Sequence, residues 1–252
     1  MDYDAQMALA LQMSLNDTGG QTWEPPQNLD KERAQRDMAR YRANYPGEDY
    51  NDKSLASNLM FYKGLIKSHP DGETVDVMHT KWFGNYELLE KHHSYIQWLF
   101  PLREKGGNKH VNILQLHEIE AIKADPEAKN RLLKSYQMML DFFGMRFKAG
   151  TTVGEIERNP SNWSSRYREL NIKWNHNFLR ITRMLKSLGE FGFESPYKIN
   201  FLRFIFNEIF SNGQLINTKD AATTYWLYTL RNDAELKEME DLLLVLNKHN
   251  SA

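Results

Sequence analysis

Apolar residues recur at three- and four-residue intervals along almost the whole chain, and breaks in that rhythm mark where helices end. Residues 31–45 predict a helix closed by Pro46-Gly47, and residues 53–67 a second, followed by the turn Pro70-Asp71-Gly72. Thr74 opens a segment that runs to Phe83, and Asn85 suits the cap of a helix carrying Tyr86, Leu88 and Leu89. That helix leads into His92–Glu104, HHSYIQWLFPLRE, where Ile96, Trp98, Leu99 and Phe100 form an apolar knot. Pro101 has no N–H and clashes with the preceding turn, so it stops the helix. The stretch reads as a central buried helix whose charged exit, Arg103-Glu104, sits at the surface. The same knot admits a second reading, a ligand pocket built on His93, Tyr95 and Trp98, because pockets favour aromatics beside a few polar groups.

Further helices follow at Leu116–Ala124 and at 127–143, the latter with Asp125 as N-cap, Pro126 in the first turn and Gly144 at the end. Residues 148–162 are polar and read as a loop. Helical spacing resumes over 162–194, 201–210, 218–230 and 233–247. In the last helix Leu236, Met239, Leu242 and Leu244 match the spacing of a leucine-rich nuclear export signal, but five consecutive apolar residues, 242–246, are too many for an exposed stripe and predict docking on the body. No segment alternates as a strand would. The expected fold is all-α: a compact multi-helix domain over 31–250 with a separate short N-terminal helix.

That N-terminal helix, residues 1–16, is followed by a linker, 17–30, that holds a Gly pair and a Pro pair. Met7, Ala10, Leu11, Ser14 and Leu15 share one face while Leu9 and Met13 lie on the other, so a lone short helix cannot bury its own apolar surface. It wants a partner. The spacing of Met7, Ala10, Ser14 and Asp17 resembles the ubiquitin-interacting motif. The resemblance implies binding of ubiquitin or a ubiquitinated protein through Met7, Ala10, Leu11, Ser14 and Asp17, with Ala10 allowing close approach and Ser14 hydrogen-bonding the partner's main chain.

Composition narrows the chemistry. There is no cysteine among the 252 residues, which removes disulfides, thiolate catalysis and cysteine-based zinc sites and suits an intracellular setting, cytoplasm or nucleus. No run approaches the roughly 18 apolar residues of a membrane span. The first twenty residues carry three aspartates and no lysine or arginine, leaving 32 basic against 30 acidic residues elsewhere, so this segment differs from the body. From 166 to 186 six basic residues, Arg166, Arg168, Lys173, Arg180, Arg183 and Lys186, face one acid, Glu169, with Trp163, Tyr167 and Trp174 interleaved. That pattern raises a nucleic-acid surface, although Met184, Leu185 and Leu188 make the same stretch a core helix, and the structural reading is preferred. No phosphate-binding loop, dinucleotide fingerprint, nucleophile elbow or metalloprotease motif occurs, and His117 with Glu120 is a single pair where a di-metal bundle needs two. A non-enzymatic protein without cofactor or metal is expected.

Five stretches carry a broader likeness: RDMARYRANYP (36–46), NLMFYKGLI (58–66), NYELLEKHHSYIQWLFPLRE (85–104), LKSYQMMLDFFGMRF (133–147) and NHNFLRITRMLKSLGEFGFE (175–194). They resemble the conserved N-terminal region of the opioid growth factor receptor family over about 31–231. The resemblance implies a helical domain and, in vertebrates, a growth-regulating receptor for an enkephalin peptide associated with nuclear and perinuclear membranes, hence a peptide ligand and peripheral membrane association.

Overall fold

Arginine side chains on one buried helix close the ends of two others, and the remaining elements pack around that junction. The computed structural model describes residues 31–249 apart from Thr152 and Trp174; the helix and linker expected over residues 1–30 lie outside the described residues. In chain order the helices are α1 (Lys31–Arg42), α2 (Ser57–Tyr62), α3 (Val75–Val77, running on as a wide turn, Met78–Trp82), α4 (Tyr86–Lys91), α5 (Tyr95–Leu99), α6 (Leu116–Ala124) and α7 (Pro126–Phe142). A β-hairpin, β1 (Met145–Phe147) and β2 (Ile156–Arg158), separates these from α8 (Trp163–Leu170), α9 (Asn177–Glu190), α10 (Ile199–Phe206), α11 (Lys219–Ala221) and α12 (Asp233–His249). Among the described residues the fold is all-α apart from this hairpin.

Several boundaries follow from local chemistry. Asn85 caps α4 by accepting from Leu88 N at 3.2 Å, and Asp125 accepts from Glu127 N and Ala128 N ahead of Pro126. Gly144, at φ 84°, ends α7 in a conformation that suits glycine. Residues 148–162 are not wholly a loop: their distal part pairs antiparallel with Met145–Phe147, in register Met145↔Arg158 and Arg146↔Glu157. Arg146 and Glu157 join across that register at 2.7 Å. Residues 216–229 form a succession of short tight and wide turns rather than one regular helix. There Thr218, Thr223 and Thr229 hydroxyls bond to carbonyls three or four residues back, competing with the regular ladder.

All five residues of α5 are buried, and α9 is buried on nearly every side. Phe61 and Trp98 meet at 5.4 Å, Trp82 and Tyr95 at 5.8 Å, and Phe201 and Trp226 at 6.3 Å, so aromatic pairs run through a single core. The charged exit of α5 runs inward instead of outward. Arg103 is 1% exposed, donating to Asn44 O and Oδ1 and to Glu48 O. Glu104 pairs with Lys186 and accepts from Tyr45 Oη at 2.8 Å. Burial is tolerated because each charge finds donors or acceptors on α9 or in the turn after α1.

The docked reading of the last helix holds: Met239 and Leu243 are buried and Leu236, Leu242 and Leu246 pack on the core. Leu244 stays exposed.

Candidate binding cleft

A cleft of about 430 Å³ opens where the end of α7 meets the hairpin and the turn before α8. Phe83, Gln137, Asp141, Arg146, Phe147, Asn159 and Ser161 line it. Three chain segments converge because Asn159 N bonds to Gly144 O at 2.9 Å and Trp163 N to Asn159 O at 2.9 Å, folding β2 and α8 back onto the end of α7.

Asp141 is the chemical centre of this cleft. It is 7% exposed and accepts from Tyr86 Oη on Oδ2 at 3.0 Å, from Asn159 Nδ2 on Oδ1 at 2.7 Å and from Asn162 Nδ2 on Oδ1 at 3.2 Å. Burial raises its pKa above the ordinary carboxylate value, and the bonds from Tyr86, Asn159 and Asn162 pull in the other direction. Phe83, half exposed at 49%, and Phe147 supply apolar wall. Arg146 is already paired with Glu157. Such an arrangement can hold a small polar group by hydrogen bonds while an attached apolar part covers the aromatic wall. Asp141 had a signal in the sequence: it is the lone acid in the run Met138–Phe143, every member of which is buried.

Tyr95 and Trp98 occupy the packed core, with their polar atoms used inside the chain. Tyr95 Oη donates to Leu89 O at 3.2 Å, and Trp98 Nε1, on a residue 1% exposed, donates to His69 O at 3.0 Å. His93 lies apart, accepting from Arg180 on Nδ1 at 2.9 Å. Burial, and then the charge of Arg180, depress His93 to about 4, so the ring is neutral and suited to accept that bond. The three residues therefore serve the core and a polar junction rather than a common cavity wall. Met7, Ala10, Leu11, Ser14 and Asp17 lie outside the described residues.

The basic stretch is largely internal. Arg180 donates to Leu89 O and Glu90 O at the end of α4, Arg183 to Phe100 O at 2.8 Å, and Ser187 Oγ to Pro101 O at 3.0 Å. These carbonyls are the acceptors that helix termini leave unpaired, and the cations also meet the negative ends of the helices. Arg166 stacks over Phe142 at 4.4 Å and donates to Phe142 O. Glu90 answers the positive charge. Although burial opposes ionisation, His176, whose Nε2 is 3.0 Å away, together with Arg180 and Arg166, lowers Glu90 to about 2. Four of the six basic residues are thus buried, which removes the continuous surface that nucleic acid would need.

A second buried network surrounds Tyr41 of α1. Tyr41 Oη donates to Lys186 O at 3.0 Å, and the Arg231 guanidinium lies 4.1 Å from the ring centre. Arg231 pairs with Glu190, while Lys198 meets Glu194 at 3.0 Å, the Tyr41 hydroxyl at 3.3 Å and Thr229 O. A Cβ on Gly189 would stand 2.1 Å from Tyr41 Oη, so this glycine admits the phenol. Tyr41, Lys186, Glu190 and Lys198 are buried, Arg231 and Glu194 partly so, and these groups bind one another. Among the described residues no group of three or more His, Cys, Asp or Glu is placed to hold a metal ion, and no helix is long and apolar enough to cross a membrane.

Comparison with known proteins gives the lineage of this architecture. Residues 51–250 match the family model described as the opioid growth factor receptor conserved region. The chain is 43% identical over 217 residues to opioid growth factor receptor-like protein 1 of Mus musculus, covering 86% of this chain and 45% of that protein. It is 41% identical over 217 residues to the opioid growth factor receptor of Homo sapiens, covering 85% of this chain and 30% of that one. It thus spans less than half the length of these relatives. No solved structure matches it. The match takes in α12, beyond the end near 231 that the shared motifs suggest. With four-fifths of its length inside the family match, the chain belongs to the opioid growth factor receptor family.

Proposed function

We propose that this chain is a non-enzymatic binding protein whose helical body takes a peptide or protein segment in the Asp141 cleft and whose N-terminal helix binds ubiquitin weakly. The observation that carries the first half is the cleft itself: a buried carboxylate under an aromatic rim, at the meeting of three chain segments. The second half rests on the spacing of Met7, Ala10, Ser14 and Asp17, with Leu11 on the same face. Titrating the full chain into isotopically labelled ubiquitin tests it. Shifts are expected on one apolar patch, and Ala10→Arg should abolish them by holding the two backbones apart; unchanged shifts with that variant would sink the ubiquitin reading.

The relatives' name, opioid growth factor receptor, favours a second reading, a receptor for the enkephalin-type peptide that the family resemblance implies. That reading carries no ubiquitin function, so a fluorescent enkephalin-type peptide titrated with the full chain, set beside the ubiquitin titration, separates the two. Saturable binding weakened by Phe83→Arg, which obstructs the cleft rim, would favour the receptor.

A further inference from the structure

Asp141 retains an acceptor direction that the chain does not use. A carboxylate offers about four lone-pair sites. Oδ1 accepts from both Asn159 and Asn162, and Oδ2 accepts from Tyr86 alone. The bond from Asn162 is also divided, since its Nδ2 reaches Asp141 O at 2.9 Å and Tyr86 Oη at 2.5 Å with two hydrogens to share. Nearby cations are occupied: Arg146 is joined to Glu157, and Arg166 donates to Phe142 O and Glu90. The carboxylate thus lines the cleft with hydrogen-bonding capacity and without a paired cation of its own.

Resting on the reading of this cleft as the ligand site, we propose that it takes a primary ammonium on an apolar stem, the chemistry of a lysine side chain, with the ammonium donating to Asp141 and the stem lying against Phe83 and Phe147. Three features select that class. A buried anion gains most from a partner that brings both charge and donors. The aromatic wall favours methylene groups and a cation near a ring. A guanidinium, by contrast, gains most from a bidentate partner, and Oδ1 already accepts two bonds. Burial holds the free carboxyl above its ordinary range, so a bound cation also relieves a cost that the unliganded chain carries.

The test compares two probes by NMR on the isotopically labelled full chain: Nα-acetyl-lysine methylamide, and the same molecule acetylated on Nε, which keeps the stem and loses the charge. The charged probe should shift the side-chain amides of Asn159 and Asn162, and the acetylated probe should bind roughly tenfold more weakly or worse. Asp141→Asn should reduce charged-probe binding to the level of the acetylated one, while Phe83→Ala, at a half-exposed position, should weaken it severalfold without altering the melting temperature. Because the probe comparison uses the unmodified chain, it stands even if Asp141→Asn folds poorly. Equal binding of both probes in the cleft would overturn the ammonium assignment and leave the cleft reading in place; binding of neither would overturn both.

Discussion

Replacing Lys198 with methionine removes a buried charge and changes how stability responds to alkali. Lys198 is fully enclosed, and burial depresses its ammonium from 10.5 to about 8, although Glu194 favours the charged form. In the unfolded chain the same group titrates near its ordinary value. Below about pH 8 both states hold the proton, and the folded state bears the full penalty of keeping an ammonium out of water. Between about 8 and 10.5 the unfolded state holds more protons, so this group makes stability rise with pH and the penalty fades. A depression of that size corresponds to roughly 3 kcal/mol, of which about 2 kcal/mol disappears between pH 7.5 and 9.5. Urea unfolding of both proteins at those two pH values measures it. The native chain should gain about 2 kcal/mol relative to Lys198→Met on moving to the higher pH. Tyr41, which Lys198 touches, and Tyr45 carry phenols that burial raises well above 10, so both stay protonated in the folded state up to about pH 9.5 and add little to the difference. Parallel curves would refute the reasoning, because they would mean that Lys198 titrates alike in both states.

Trp98→Ala should cost about 3–5 kcal/mol, the usual consequence of emptying a large core site, and should be read by denaturant titration; a melting temperature that hardly moves would place the indole outside the core. Arg183→Met keeps the volume of the side chain but leaves Phe100 O without its donor, so a loss of roughly 1–3 kcal/mol is expected, with Lys173→Met, at an exposed position, as the near-neutral control in the same thermal melt. Ending the chain at Asn232 uncovers the surface against which Met239 and Leu243 pack; light scattering and calorimetry should record aggregation and a lower transition, while ubiquitin binding persists if the N-terminal helix acts alone.

Features that depend on a few neighbouring residues were legible in the sequence. Asn85, Asp125-Pro126 and Gly144 mark helix ends because capping and positive φ are local requirements. The destination of the charged residues was not. Arg103 and Glu104 look like a surface exit because nothing adjacent announces their partners, and Arg180 and Arg183 resemble a basic face because the carbonyls they close lie on α4 and beyond α5. Three-residue strands are too short to establish an alternating period, so the hairpin merged with its loop. At the cleft, Asp141, an acid among apolar residues, is passed over in the sequence reading because its convergence with Asn159 and Phe83 depends on how α7, the hairpin and α3 meet.

The position of Tyr41 has a consequence for the order in which the chain is assembled during synthesis. Its hydroxyl bonds to Lys186 O, 145 residues on, and Arg42 bonds to Leu230 O, 188 residues on. Helix α1 therefore leaves the ribosome long before the groups that surround it. At about 5–20 residues per second the interval is roughly 10–40 s, during which the nascent chain exposes Tyr41 and Tyr45 without their cage. Closing such distant contacts comes late and slowly. Residues translated well after it thus complete the core around the first helix of the body, and a ribosome stalled before Arg231 would hold a chain with its centre still open.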